Sequence, residues 1–191
     1  MDTVGVVHGR FQLLHKDHMK YILAGKQRCR HLIIGICNPD MTRTKFSQAA
    51  PHRSQIDANP FTYYERFQMI QGAMLETGVT MEEFDIVPFP INFPELLFNY
   101  VPLDAKFYMT IYEEWGIEKQ ALLQGLGCDV EVLWQKTPAE KEISGTWIRQ
   151  QIKDGMEWRQ YVPEFVYQYI RSHHFESRIK QPQILSKFHE D

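Results

Sequence analysis

The side chains best suited to chemistry in this chain fall into two groups far apart in sequence. The first is Gly9-Arg10-Phe11-Gln12-Leu13-Leu14-His15-Lys16-Asp17-His18, with two histidines at i and i+3 beside an arginine and a lysine. Imidazole, guanidinium and ammonium donors grouped in this way suit phosphate oxygens. The second is Ile143-Ser144-Gly145-Thr146-Trp147-Ile148-Arg149, a serine and a threonine at an expected helix start with Arg149 inside its first turn. Exposed N–H groups at a helix start bind anions, and Ser144 and Thr146 serve equally as caps and as phosphate ligands. A metal ion shared by His15 and His18 is a weaker reading, because no third ligand suggests itself. Chemistry at phosphorus fits both groups: it asks a protein chiefly to align reactants and neutralise charge, without a covalent intermediate.

These groups need a scaffold to bring them together. Val4-Gly5-Val6-Val7 is a buried-type strand that runs straight into the first group, and Gly9 at its end lets backbone approach a ligand closely. A helix over 17–28, with Met19, Ile22 and Leu23 on one face, leads to a second buried strand at 31–37. That β–α–β spacing implies a right-handed crossover and a parallel sheet. A long polar loop over 38–59 carries Arg43, Lys45, His52 and Arg53, which are either a solvated surface or groups that close over the site. Thr62 is an N-cap, with Glu65 completing a capping box and Phe67, Ile70 and Met74 continuing the helix. A third strand over 84–89 is stopped by prolines. A weaker strand over 103–108, a helix over 113–125, an alternating strand over 129–134 and an amphipathic helix over 161–170 follow. The expected fold is α/β: one doubly wound parallel sheet spanning 1–172, with a polar, loosely held C-terminal tail over 173–191. Such sheets bind ligands beyond the carboxyl ends of their strands, where both groups fall.

Bulk properties narrow the setting. A chain of 191 residues supports one domain with a full core, and a net charge of −3 gives no general footprint for nucleic acid or membrane. Cys29, Cys37 and Cys128 lack metal-ligand spacing and are odd in number, which suits a reducing compartment. No signal-peptide pattern opens the sequence and no apolar run approaches ~20 residues, so a cytoplasmic location is expected.

Gly9-Arg10-Phe11-Gln12 with His15-Lys16-Asp17-His18, and the distant segment from Ile143 to Arg149, resemble the nucleotidyltransferase superfamily that carries a His-x-Gly-His signature. Within it the chain is similar to archaeal-type nicotinamide mononucleotide adenylyltransferases. The resemblance runs on through Asn59-Pro60-Phe61-Thr62, Glu65-Arg66, Asp154-Gly155, Trp158-Arg159 and Val162-Pro163-Glu164, covering about residues 4 to 170. It implies a Rossmann-like fold and attack of an acceptor phosphate on the α-phosphorus of a nucleoside triphosphate, with release of pyrophosphate. The expected transfer is of AMP from ATP to a phosphate-bearing acceptor such as nicotinamide mononucleotide. The alternatives are a cytidylyltransferase using CTP on another phosphate or phosphonate, and a silent nucleotide-binding regulator. By the same resemblance, His15, His18, Arg10 and Arg149 are catalytic, and Gly9, Phe11, Gln12, Lys16, Ser144 and Thr146 bind the nucleotide. Asn92 and Phe93 are expected at the acceptor. Mg²⁺ is expected to arrive with the triphosphate, held largely by phosphates and water. Relatives of this layout often form rings or dimers, which makes a homo-oligomer possible.

Two departures from the family pattern stand out. Asp17 occupies a position that is usually glycine; facing away it caps the helix, and facing inward it repels a nucleotide. The stretch Pro90-Ile91-Asn92-Phe93-Pro94-Glu95 with Phe98 replaces the residues that shape a nicotinamide pocket in the archaeal-type enzymes. Phe89, Phe93, Phe98 and Tyr100 read as core more than pocket, and His8 reads equally as a satisfied core histidine.

Overall fold

The computed structural model describes residues 1–40, 58–140 and 142–181. Strands β1 (Asp2–Gly9), β2 (Cys29–Cys37), β3 (Phe84–Phe89), β4 (Lys106–Ile111) and β5 (Asp129–Gln135) form one parallel sheet in the order β3-β2-β1-β4-β5. Successive strand residues point to opposite faces, so the Val6-Val7 pair feeds two cores at once. Val7, Leu32 and Ile34 meet helices α1 (Lys16–Lys26), α2 (Tyr63–Glu76), α4 (Gly145–Lys153) and α5 (Glu164–Ser172). Val6, Ile33, Phe89 and Phe107 meet α3 (Glu114–Gly125) and the 3₁₀ turn Pro94–Asn99. Covering both faces explains why the strands read as apolar runs without alternation. The doubly wound α/β expectation is met.

The pairing of β1 is uneven, and this makes the site. β1 holds β2 from Asp2↔Cys29 to Gly9↔Ile36, but it holds β4 only at Gly5↔Lys106 and Val6↔Phe107. Beyond Val6 the two central strands part, and a crevice opens at the switch point of the sheet, where doubly wound proteins take ligands. The Tyr21 hydroxyl of α1 spans the gap: it accepts the His8 N–H (3.1 Å) and donates to the Tyr108 carbonyl (2.7 Å). Burial raises the Tyr21 pKa, which keeps this bridge protonated.

Several boundaries differ from expectation for physical reasons. β4 begins at Lys106 instead of 103, because Pro102, Leu103 and Asp104 make a turn that leaves Leu103 54% exposed. The helix expected over 161–170 is a 3₁₀ turn, Arg159–Tyr161, then α5, with Pro163 at its N-cap. Within 173–181 the chain forms α6 (Phe175–Lys180), which buries Ile179 to 2% exposure. Arg178 binds the Glu65 carboxylate at 2.7 and 2.8 Å and the Pro60 carbonyl at 3.2 Å, tying α6 to the start of α2. Ile179→Ala is therefore expected to cost about 2–4 kcal/mol of unfolding free energy, measured by urea titration. A loss below ~0.5 kcal/mol would show that α6 contributes nothing to the cooperative unit.

Candidate active site

The strand–loop–helix passage from β1 to α1 is fixed by buried bonds. Phe11 takes a left-handed backbone (φ 52°) with its ring buried, and the Gln12 side chain clamps Phe61, its Nε2 donating to the Phe61 carbonyl (2.7 Å) and its Oε1 accepting the Phe61 N–H (3.0 Å). The Gln12 amide is thus engaged with backbone, and what Gln12 offers the second group is its carbonyl. Arg66 of α2, fully buried, donates to the carbonyls of Arg10 (3.0 Å), Cys37 (2.7 Å), Asn38 (2.8 Å) and Thr62 (3.2 Å). One guanidinium therefore closes the carboxyl ends of β1 and β2 against the start of α2. Burial lowers its pKa to about 10, and it stays charged at neutral pH.

At the start of α1, His15 is the N-cap, and its Nδ1 accepts the His18 N–H at 3.3 Å. In the neutral ring an accepting Nδ1 puts the proton on Nε2, which makes Nε2–H a hydrogen-bond donor. The two imidazoles stack at 3.7 Å, and Phe11 meets His18 edge-on at 5.1 Å. Lys16 is exposed at the first helical position.

The second group joins the first directly. Ser144 caps α4 by accepting the Trp147 N–H (3.2 Å). Arg149 lies just past the first turn of α4, where it was expected, and reaches back: Nη1 donates to the Gln12 carbonyl and Nη2 to Thr146 Oγ1 (3.2 Å). Gly145 packs so closely that a Cβ there would sit 2.6 Å from the Gln12 oxygen and 2.8 Å from the Leu13 nitrogen. The starts of α1 and α4, both sources of unpaired N–H groups, thus border one space above the crevice.

Asp17 takes neither of the orientations weighed for it. Its Oδ2 accepts the Ile143 N–H at 3.0 Å, and Lys20 sits 3.1 Å from Oδ1 while also reaching Glu142. The carboxylate is a tether between the two groups. Asp17→Ala is expected to raise KM for the nucleoside triphosphate about 5–10-fold, with Asp17→Asn, which keeps an acceptor oxygen, recovering most of it. Steady-state pyrophosphate release checks this, and an unchanged KM in Asp17→Ala would exclude the tether's importance.

Of the two residues expected at the acceptor, Asn92 donates from Nδ2 to Asn38 Oδ1 (3.0 Å), fastening the segment after β3 to the end of β2. Phe93 precedes the 3₁₀ turn Pro94–Asn99 and is half-buried. Arg43, Lys45, His52 and Arg53 lie outside the described residues. Among the described residues no group of three or more His, Cys, Asp or Glu is placed to hold a metal ion, and no helix is long and apolar enough to cross a membrane.

His8, just past the point where β1 parts from β4, is 3% exposed, stacks on Phe89 at 4.5 Å, and offers two buried ring nitrogens without a hydrogen-bond partner among the described residues. Burial, helped by the Lys119 charge, holds its pKa well below the ordinary histidine value. Below about pH 6.5 the unfolded chain then binds a proton that the fold does not, so His8 withdraws stability by up to about 1.4 kcal/mol per pH unit as pH falls. Removing the titrating ring in His8→Val is expected to flatten unfolding free energy between pH 6.5 and 5 relative to wild type. Parallel profiles would show that His8 is not buried neutral.

Sequence reasoning matched Arg66 only as part of a family-like segment and gave it no role, and it missed Tyr21 and the Asp17 tether. Arg66 had a signal: it falls on the buried stripe of α2 with Met69, Ile70 and Ala73, where an arginine needs carbonyl or carboxylate partners. Tyr21 and Asp17 act on residues 87 and 126 positions away, and no local pattern shows that.

Known proteins agree with this architecture. The Cytidylyltransferase-like family profile matches residues 6–151, and the chain belongs to that family. It is a nucleotidyltransferase. A phosphonoformate cytidylyltransferase from Streptomyces viridochromogenes is 43% identical over 176 residues, covering 92% of this chain and 95% of the relative. A nicotinamide-nucleotide adenylyltransferase from Thermococcus kodakarensis is 28% identical, covering 92% and 86%. A crystal structure of a bifunctional NMN adenylyltransferase/ADP ribose pyrophosphatase from Francisella tularensis superposes with a TM-score of 0.63 at 18% identity over 94% of this chain, which spans about half (53%) of that one. This last likeness is one of fold.

Proposed function

We propose that this chain transfers a cytidylyl group from CTP to a small phosphonate- or phosphate-bearing acid and releases pyrophosphate. The observation that carries the reading is the 43% identity, across 92% of the chain, to an enzyme named for cytidylyl transfer to phosphonoformate. It favours CTP over the ATP and nicotinamide mononucleotide of the relatives at 25–28% identity. The altered stretch from Pro90 to Glu95 points the same way, because it departs from the family's nicotinamide pocket.

In this reading an acceptor oxygen forms a bond to the α-phosphorus while the bond to the bridging oxygen breaks in line, its electron pair leaving on pyrophosphate. His15 Nε2–H and His18 donate to the α-phosphate oxygens as charge gathers there. Arg10, Lys16 and the starts of α1 and α4 draw in the polyphosphate, with Ser144, Thr146 and Arg149 around the leaving group. Mg²⁺ comes as part of the substrate, bound by its phosphates and by water. Asp17 gives no support to the silent-regulator alternative, since its carboxylate is committed to Ile143 and Lys20.

The test is a matrix of CTP and ATP against phosphonoformate, phosphonoacetate and nicotinamide mononucleotide, read by pyrophosphate release. The expected result is turnover with CTP and a phosphonate, at least tenfold above any ATP pair. Preference for ATP with nicotinamide mononucleotide would overturn it in favour of adenylyl transfer, and no release with any pair would overturn both.

A further inference from the structure

The crevice has two sides, and the triphosphate reading uses one. His15, His18, Thr146 and Arg149 stand where α1 and α4 begin. The other side, over the ends of β1, β2 and β3 on the α3 face, holds His8. Its strand is the one that loses β4 after Val6, so His8 is the residue at which the floor of the crevice begins.

The imidazole is built into place. Gly35 of β2 lies opposite His8 in the register, and a Cβ there would come within 2.5 Å of the Phe89 ring. With no side chain at 35, Phe89 of β3 lies over β2 and stacks on His8 nearly parallel, with 11° between the planes. Stacking fixes the ring plane and leaves both edges for hydrogen bonding, yet neither nitrogen has a hydrogen-bond partner among the described residues. A buried polar group oriented by its neighbours and left unsatisfied is a place for a ligand atom. Lys119 of α3 is near enough for its charge to act on the ring, and Asn92 closes the far end against Asn38. Lys119 is the charge that acts on the ring, and a cation beside an imidazole donor suits an anion.

We infer that His8 is a specificity-determining residue for the acceptor: its imidazole, stacked face to face on Phe89 across Gly35, hydrogen-bonds an anionic oxygen of a small phosphonate- or carboxylate-bearing substrate. This deepens the cytidylyl-transfer reading and rests on it for the identity of the nucleotide side. Phe89 and His8 together fill the floor with two stacked rings, so the selected acceptor is compact. A phenyl ring at position 8 would stack equally well and would supply no donor.

Two measurements test it. In kinetics with CTP and phosphonoformate, His8→Val is expected to raise KM for phosphonoformate at least tenfold and leave KM for CTP within twofold, with His8→Gln, which keeps a donor, recovering part of the loss. In NMR of the wild-type protein, the His8 imidazole resonances, assigned by their absence in His8→Gln, are expected to shift on titration with phosphonoformate and to stay unmoved with CTP alone. An unmoved His8 signal at saturating phosphonoformate, or an unchanged acceptor KM in His8→Val, overturns the inference even if wild-type turnover is normal. A shifted His8 signal without CTP turnover upholds the anion site and overturns the cytidylyl-transfer reading instead. Should His8→Val fail to fold, the wild-type resonances decide.

Discussion

His18→Ala is expected to lower the rate of pyrophosphate release by about 10²–10³-fold, the loss seen when one donor to a developing oxyanion is removed. The fold should survive, because what α1 needs from residue 18 is its N–H, which still reaches His15 Nδ1 in the variant. Only the half-buried ring goes, with its stack on His15 and its edge contact with Phe11. Triphosphate binding, measured by calorimetry, should weaken less than tenfold, since most of its charge is met by N–H groups and cations elsewhere in the site. A large loss of rate with a small loss of binding is the mark of an interaction strongest in the transition state. A variant within threefold of the wild-type rate would remove His18 from the chemistry.

Arg66→Ala is expected to cost about 3–5 kcal/mol of stability, which few domains of this size tolerate. The side chain donates to four carbonyls from three separate segments, and its loss leaves the buried Cys37 carbonyl and three part-buried ones short of a donor. Arg66→Lys keeps the charge but lacks the planar fork, and should recover less than half of the loss. Denaturant unfolding of the three proteins side by side measures this. Any folded fraction should also be slow, because the Arg10 carbonyl anchors the first chemical group. An Arg66→Ala protein as stable as wild type would show the carbonyls to be solvated.

Much of this was legible in the sequence because the signals are local. The Val6-Val7 and Leu32 to Ile36 runs identify doubly covered strands, and Thr62 with Glu65 forms the capping box at both bonds. The two chemical groups were found by residue type, and their meeting through Arg149, Gln12 and Gly145 follows from the sheet they end on. What stayed hidden depends on partners far off in sequence. Leu103 suggested an early start for β4 because apolar character alone does not distinguish a strand from the turn before it. α6 has few buried side chains, Ile179 chief among them, so its polar composition concealed the packing that Arg178 and Glu65 secure. Asp17 was seen as a question of facing in or out, and the answer was a backbone amide over a hundred residues away.

The Tyr21 hydroxyl has a consequence for how substrate energy is spent. Two strands that separate in mid-sheet would ordinarily be drawn back together by the hunger of their own amides and carbonyls. A phenol from the neighbouring helix feeds both, so the cleft is a resting state of the protein and no substrate has to pry it apart. Binding energy from both reactants is then left for aligning the phosphorus with its attacker.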